Sequence, residues 1–317
     1  MDKDFISIFD LSHVEIEAIV ERAVALKRER NERRSQQSKR KGAQGLKARR
    51  DECIEKTLAL IFEKPSTRTY VSFAVAITEL GGNVLSLNWN EIQLGRDERI
   101  RETARVFSSY VDAVMIRAFR HATVAEFARY ASIPVINGLT DFEHPCQILA
   151  DMMTIKEYKQ KFNGLTIAWF GDGNNVCNSL IGGAAITGMN IRIATPPGYE
   201  PDGGIVEKAK KMDCGEVLIT ADVEEAAADA DVLYTDVWVS MGDEAEQEQR
   251  RKDLRNYQLN EDLIDCAAED AIIMHCMPVH IGDEMTEAVM YSSNSVIFEQ
   301  AENRLHAQKA LLLHLWG

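Results

Sequence analysis

Several things are scarce in this 317-residue chain, and each scarcity excludes something. The six cysteines, Cys53, Cys146, Cys177, Cys214, Cys266 and Cys276, include no Cys-x-x-Cys pair. That spacing argues against a disulfide framework or a closed zinc site and fits reduced thiols. No run of about 18 apolar residues occurs, so no membrane-spanning helix is expected. Met1-Asp2-Lys3-Asp4 has neither the basic start nor the apolar stretch of a secretion signal, and a cytoplasmic protein is expected. Positive charge is also short: 36 Lys and Arg stand against 50 Asp and Glu, a net charge of -14. Sequence-independent binding to nucleic acid rests on many cationic contacts to phosphate, so nucleic acid is not an expected partner.

What remains, 45% hydrophobic and 27% charged residues, is the composition of an ordinary globular protein long enough for two domains. One segment departs from the acidic average. Residues 27–50 hold eleven Lys or Arg against Glu29 and Glu32, and a solvated, partly disordered loop is expected there. Ahead of it, Ser12 and Glu15 form a capping box for a helix carrying Ile16, Ile19, Val20, Ala23 and Val24. Short β-branched runs then alternate with helical stretches. Residues 57–62, 83–87, 113–116 and 134–137 are expected as four buried strands of one α/β unit. The pattern restarts with 165–170, 191–195, 217–220, 232–235, 272–274 and a further strand at 296–298. A helix over 148–162 links the two units, and another over 301–316 closes the chain.

In parallel sheets ligands bind beyond the carboxyl ends of strands, so the residues following each strand carry the most information. Ser66-Thr67-Arg68-Thr69 follows the first strand and opens a helix on which Tyr70, Phe73, Ala74, Ile77 and Leu80 share a face. Unpaired amides, hydroxyls and a guanidinium together suit a phosphate, whereas a simple cap needs only one of these side chains. Arg117 ends the third strand, and His144-Pro145-Cys146-Gln147 follows the fourth; an arginine and a histidine there can polarise a carbonyl. Gly171-Asp172-Gly173-Asn174-Asn175-Val176 resembles a dinucleotide loop but has Val176 at the third glycine position, so it offers short polar contacts to a small substrate instead. Asp236, in Asp236-Val237-Trp238-Val239-Ser240-Met241-Gly242, supplies a carboxylate suited to an amine. His275-Cys276-Met277-Pro278 with His280 matches no closed metal site, and no metal is expected.

Ser-Thr-Arg-Thr, His-Pro-Cys-Gln, Asp-x-x-x-Ser-Met-Gly and His-Cys-Met-Pro, in this order and with Glu91-Ile92-Gln93-Leu94-Gly95 and Ala301-Glu302-Asn303-Arg304, resemble the aspartate and ornithine carbamoyltransferase family over nearly the whole chain. The Ser-Met-Gly loop and the cysteine at the strand end resemble its ornithine branch. That resemblance implies two α/β domains, each a parallel sheet flanked by helices, with the C-terminal helix returning to the first domain. Residues 1–147 would bind carbamoyl phosphate and 148–317 ornithine. Ser66, Thr67, Arg68 and Thr69 would hold the phosphate, with Gln93 reaching in from a neighbour in a homotrimer or a multiple of one. Arg117, His144, Pro145, Cys146, Gln147 and Arg304, with the backbone at Cys276 and Met277, would bind the carbamoyl group. Asn175, Asp236, Ser240 and Met241 would hold ornithine beside Cys276. Arg68, Arg117, His144, Asp236 and Cys276 are the implied catalytic set, and no cofactor is implied. Three positions depart from the family pattern: Tyr70 stands where a second arginine is usual, Met277 where leucine is common, and the basic segment is longer. The competing readings are a carbamoyltransferase for another amine and a non-catalytic paralogue.

Overall fold

The fold was obtained as a computed structural model and is described for residues 4–39, 52–89, 92, 98–239 and 246–317. The chain divides into two compact units, Met1–Met153 with Glu302–Gly317, and Thr154–Ala301.

The first unit runs α1 (His13–Lys39), β1 (Thr57–Phe62), α2 (Thr67–Glu79), β2 (Asn83–Asn88), α3 (Ile100–Tyr110), β3 (Ala113–Arg117), α4 (His121–Tyr130), β4 (Val135–Leu139) and the start of α5 (Pro145–Lys159). Its sheet is parallel, in the order β2-β1-β3-β4. The chain steps outward from β1 to β2, then crosses to β3 and β4 on the other side. The point where order reverses lies between β1 and β3, and a crevice opens there beyond the strand ends. Glu63 ties the two ends together: its N–H donates to the Arg117 carbonyl at 2.8 Å, and its carboxylate accepts from Phe119 N–H at 2.7 Å. β4 continues two residues past the expected end because it carries a bulge at Gly138, where a Cβ would meet the Met115 sulfur at 2.2 Å.

In the second unit the order is β5 (Thr166–Phe170), α6 (Asn175–Thr187), β6 (Asn190–Ala194), α7 (Gly203–Met212), β7 (Val217–Thr220), α8 (Val223–Ala227), β8 (Val232–Thr235), α9 (Gln247–Leu254), α10 (Glu261–Cys266), β9 (Ile272–His275), α11 (Glu287–Met290) and α12 (Ile297–Trp316). The parallel sheet runs β7-β6-β5-β8-β9. Here the reversal falls between β5 and β8, which places Gly171–Asn175 and Asp236 at the corresponding crevice. Trp169 and Tyr234, fully buried on these two strands, stack at 5.2 Å and form the floor of the core beneath it.

Four expectations are corrected. Residues 296–298 are not a strand: Ser295 makes only an isolated bridge to Ile273, and α12 starts at Ile297. Strand β2 is not buried, since it lies at the sheet edge with one neighbour and leaves Leu85 half exposed. The capping box at Ser12 and Glu15 starts α1 as expected, but the helix continues to Lys39 and takes in the first part of the basic segment. Arg30 there bonds Glu79 at 3.0 Å and Lys27 bonds Asn303 at 2.8 Å; residues 40–51 lie outside the described residues. On α2 the buried face is Thr69, Phe73, Ala76 and Ile77, while Tyr70 is 42% exposed with its ring edge-on to Phe62.

From Glu302 onward α12 belongs to the first unit. Lys309 pairs with Glu79, and Trp316 Nε1 donates to the Asp112 carbonyl at 3.1 Å.

Candidate active site

The N-terminus of α2 is the centre of the first unit's site. Ser66 caps the helix, its Oγ accepting from Thr69 N–H at 3.3 Å and donating to Thr69 Oγ1 at 3.0 Å. Thr69 is buried, and two guanidiniums approach the same hydroxyl: Arg117 Nη1 at 3.5 Å and Arg304 Nη2 at 3.3 Å. Three donors thus converge on an oxygen with two lone pairs. Such a set is better matched to an oxyanion with several oxygens, placed where the helix dipole also favours negative charge. Thr67 and Arg68, on the first turn, are exposed.

Arg304 is oriented from a second side. Its Nη1 donates to Gln147 Oε1 at 2.7 Å, and Gln147 Nε2 donates to Asp151 at 2.9 Å, so the amide is turned with its oxygen toward the arginine. Buried His144 immediately precedes α5. Burial, and then the charges of Arg304, Arg117 and Arg68 in that order, hold its ring well below the ordinary histidine value. The imidazole is therefore neutral near pH 7 and offers a hydrogen bond rather than a proton. Cys146 faces the other way, its thiol donating to the Asn137 carbonyl at 3.3 Å. Burial pushes that thiol up to about 12, against a smaller opposing effect of Arg304, so it is an inert packing group.

In the second unit Asp236 is buried at the end of β8. One carboxylate oxygen accepts from Asn174 Nδ2 at 2.8 Å and the other from Cys276 Sγ at 2.8 Å. Asn174 has a double task, because its Oδ1 also caps α6 by accepting from Val176 and Cys177 N–H at 2.9 and 3.1 Å. The sequence offered both asparagines of this turn as polar contacts and the resemblance implied Asn175; that Asn174 caps α6 was not expected, although Asn is a favoured cap at a strand-to-helix turn. Met277 sits at φ 61° in the left-handed region before a cis bond to Pro278. Arg250, also passed over, bonds Asp172 at 2.9 Å and the Trp238 carbonyl at 3.2 Å.

Gln93, Ser240 and Met241 lie outside the described residues. Among the described residues two clusters bring three ligand-type atoms within 4.8 Å: Asp236, His275 and Cys276, and His280, Asp283 and Glu284. In the first, the donors are already committed to protein partners, the thiol to Asp236 and His275 Nδ1 to Met277 N–H at 2.8 Å. In the second, Asp283 is paired with Arg251 at 2.7 Å, an unfavourable neighbour for a cation.

Known proteins match both halves of this chain in sequence and in fold. A family model described as the carbamoyl-P binding domain of aspartate/ornithine carbamoyltransferase matches residues 3–157, and one described as the Asp/Orn binding domain matches residues 163–315. An ornithine carbamoyltransferase of Methanosarcina mazei is 53% identical over 315 residues, covering 99% of each chain. One from Methanoculleus marisnigri is 51% identical over 315 residues, covering 99% of this chain and 97% of its own. The solved structure of ornithine carbamoyltransferase from Pyrococcus furiosus superposes with a TM-score of 0.90 at 46% identity, covering 98% of this chain and 95% of that one. Matched across both halves by sequence and by fold, the chain belongs to the aspartate/ornithine carbamoyltransferase family.

Proposed function

We propose that the chain is an ornithine carbamoyltransferase, converting carbamoyl phosphate and L-ornithine to L-citrulline and phosphate in arginine metabolism. The observation that supports the substrate assignment is the convergence of Arg117 and Arg304 on Thr69 at a helix N-terminus, a charge and geometry that suit a small acyl phosphate. Residues 1–147, joined by Arg304, bind carbamoyl phosphate, and residues 148–317 bind ornithine. Ser66, Thr67, Arg68 and Thr69 take the phosphate, while Arg117, His144, Gln147 and Arg304 face the carbamoyl group.

Carbamoyl phosphate is already activated, so positioning and charge stabilisation supply the rate. The side-chain amine, with a pKa near 10.4, is neutral in roughly one molecule in a thousand at pH 7.4 and must react in that form. Asp236 holds the α-ammonium, and Cys276 lies beside the reacting amine. Nitrogen attacks the carbonyl carbon; the developing oxyanion is met by Arg117 and by the N–H of neutral His144. The C–O bond to phosphate then breaks, and phosphate leaves toward Arg68 with the proton that nitrogen gives up. The reaction so written needs no metal or organic cofactor.

Half-exposed Leu85 on edge strand β2 and Val71 on α2 support a subunit contact, which we place in a cytoplasmic homotrimer or a multiple of one, with Gln93 serving the neighbour's site. Steady-state release of phosphate from carbamoyl phosphate, with citrulline identified as the ornithine product, tests the activity: kcat/KM with ornithine should exceed that with aspartate, putrescine or an acylated ornithine by about a hundredfold or more. Comparable rates with any of these would remove the ornithine assignment.

A further inference from the structure

The basic segment has no part in the reaction as written, yet its first residues are folded into α1 and tie that helix to α2 and to the helix that carries Arg304. Lys27 Nζ donates to Asn303 Oδ1 at 2.8 Å, and Asn303, fully buried, is the residue before Arg304. One turn further along α1, Arg30 Nε donates to both carboxylate oxygens of Glu79, at 3.0 and 3.1 Å. The second of those oxygens also accepts from the ammonium of Lys309, which is 2% exposed. Asn303, His306 and Lys309 recur at three-residue spacing and form one row on α12, met by Lys27 and Arg30 on α1. The His306 ring is fully buried, and neither of its nitrogens has a hydrogen-bond partner among the described residues, so it packs in this row without adding a tie of its own.

Helices α2 and α12 are thereby joined at two rungs. At one, Arg304 Nη2 reaches Thr69 Oγ1 at 3.3 Å, in the first turn of α2; at the other, Lys309 pairs with Glu79, the last residue of α2. Lys27 braces the first rung and Arg30 the second. The physical reason for charge at these places is register. Apolar helix faces repack at modest cost when one slides over another, whereas here a slide would leave a buried ammonium without its carboxylate, which is strongly destabilising. Arg304 depends on that register, because its contact with Thr69 is already at the long end of a hydrogen bond and a shift of about 1 Å ends it.

We propose that Lys27 and Arg30 are positioning residues: with Glu79 and Lys309 they set the register of α12 against α2, so that the Arg304 guanidinium reaches an anion bound at the start of α2. This rests on the carbamoyl phosphate reading for its binding test, but not for its structural one. The alternative is a cluster of ion pairs that adds stability alone.

The probe is phosphonoacetamide, a stable analogue of carbamoyl phosphate with a methylene in place of the bridging oxygen, titrated calorimetrically into the full chain. Lys27→Met and Arg30→Met together should weaken its binding about tenfold or more, while Arg30→Lys, which keeps a cation beside Glu79, should stay within about threefold of wild type. Added to Arg304→Met, the same pair of changes should weaken binding less than about twofold further, because the guanidinium they position is gone. In a crystal structure of the chain with Lys27→Met and Arg30→Met, Arg304 Nη2 should stand more than about 4 Å from Thr69 Oγ1. Unchanged affinity, an equal loss with and without Arg304, or a separation still near 3.3 Å would overturn the proposal. Should Arg304→Met bind too weakly to measure, the crystallographic separation decides. Should the paired variant fail to fold, Lys27→Met alone decides: its affinity should fall at least about threefold, and a smaller fall refutes the arrangement. A wild-type chain that does not bind phosphonoacetamide contradicts the carbamoyl phosphate reading, whereas the separation bears on the brace alone.

Discussion

Two buried histidines should make this protein lose stability on the acid side before its carboxylates begin to titrate. His144 and His306 are both inaccessible to solvent or nearly so. Burial first, then Arg304, Arg117 and Arg68, keep His144 well below its ordinary value. For His306, burial first, then Lys309, Arg30 and Lys27, bring it to about 3, with Glu79 opposing. Both rings are therefore neutral in the folded protein between pH 7.5 and 5.5, while in the unfolded chain they take up protons around pH 6.5. The unfolded state binds more protons as pH falls, so the stability each ring permits is fully present above pH 6.5 and is lost below it. Passing from pH 7.5 to 5.5 costs about 1.4 kcal/mol per histidine, or about 2.7 kcal/mol for the pair. Against a total of about 5–15 kcal/mol that is a large share. The lowered carboxylates Glu15 and Glu79 add their own loss only below about pH 4.5, outside this window. Urea unfolding without substrates, at fixed protein concentration, should show the decrement in wild type, about half of it in His306→Gln or His144→Gln, and little in the double variant. Single and double variants that lose as much as wild type would show that these rings do not stay neutral, and the role of His144 as an uncharged donor would fall with them.

Arg304→Lys keeps the charge but loses the fork that joins Gln147 and Thr69, so kcat/KM for carbamoyl phosphate should fall about thirtyfold, the equivalent of one charge-assisted hydrogen bond of about 2 kcal/mol. A fall of less than about threefold would place Arg304 outside the site. Asn174→Ala removes both the cap of α6 and a partner of Asp236, and should cost about 1 kcal/mol of stability and raise the ornithine KM about tenfold. An unchanged KM would separate Asp236 from the amine. Tyr70→Phe, at a half-exposed ring set edge-on to Phe62, should change the KM for carbamoyl phosphate less than about threefold; a hundredfold loss would make the phenol a phosphate ligand.

The strands were legible in the sequence because a parallel strand is a short apolar run bounded by turns, a property of neighbouring residues alone. The capped helix start at Ser66 to Thr69 was equally legible, since a helix N-terminus is built from four consecutive residues. Order within each sheet was not, and it is order that puts β2 at an edge and creates a crevice between β1 and β3. A run such as 296–298 is apolar enough for a strand or for a buried helix, and packing decided for α12. Asn174 against Asp236, and the ring of His275 against Met277 N–H, depend on where atoms lie within a turn, which residue types do not encode. Arg304 reaches Thr69 only because the chain's last helix returns to the unit that began it. Local sequence thus determined the elements and the chemical groups each could offer. Tertiary structure decided which groups meet, because contacts between distant segments are chosen by the burial of whole faces rather than by any pattern along the chain.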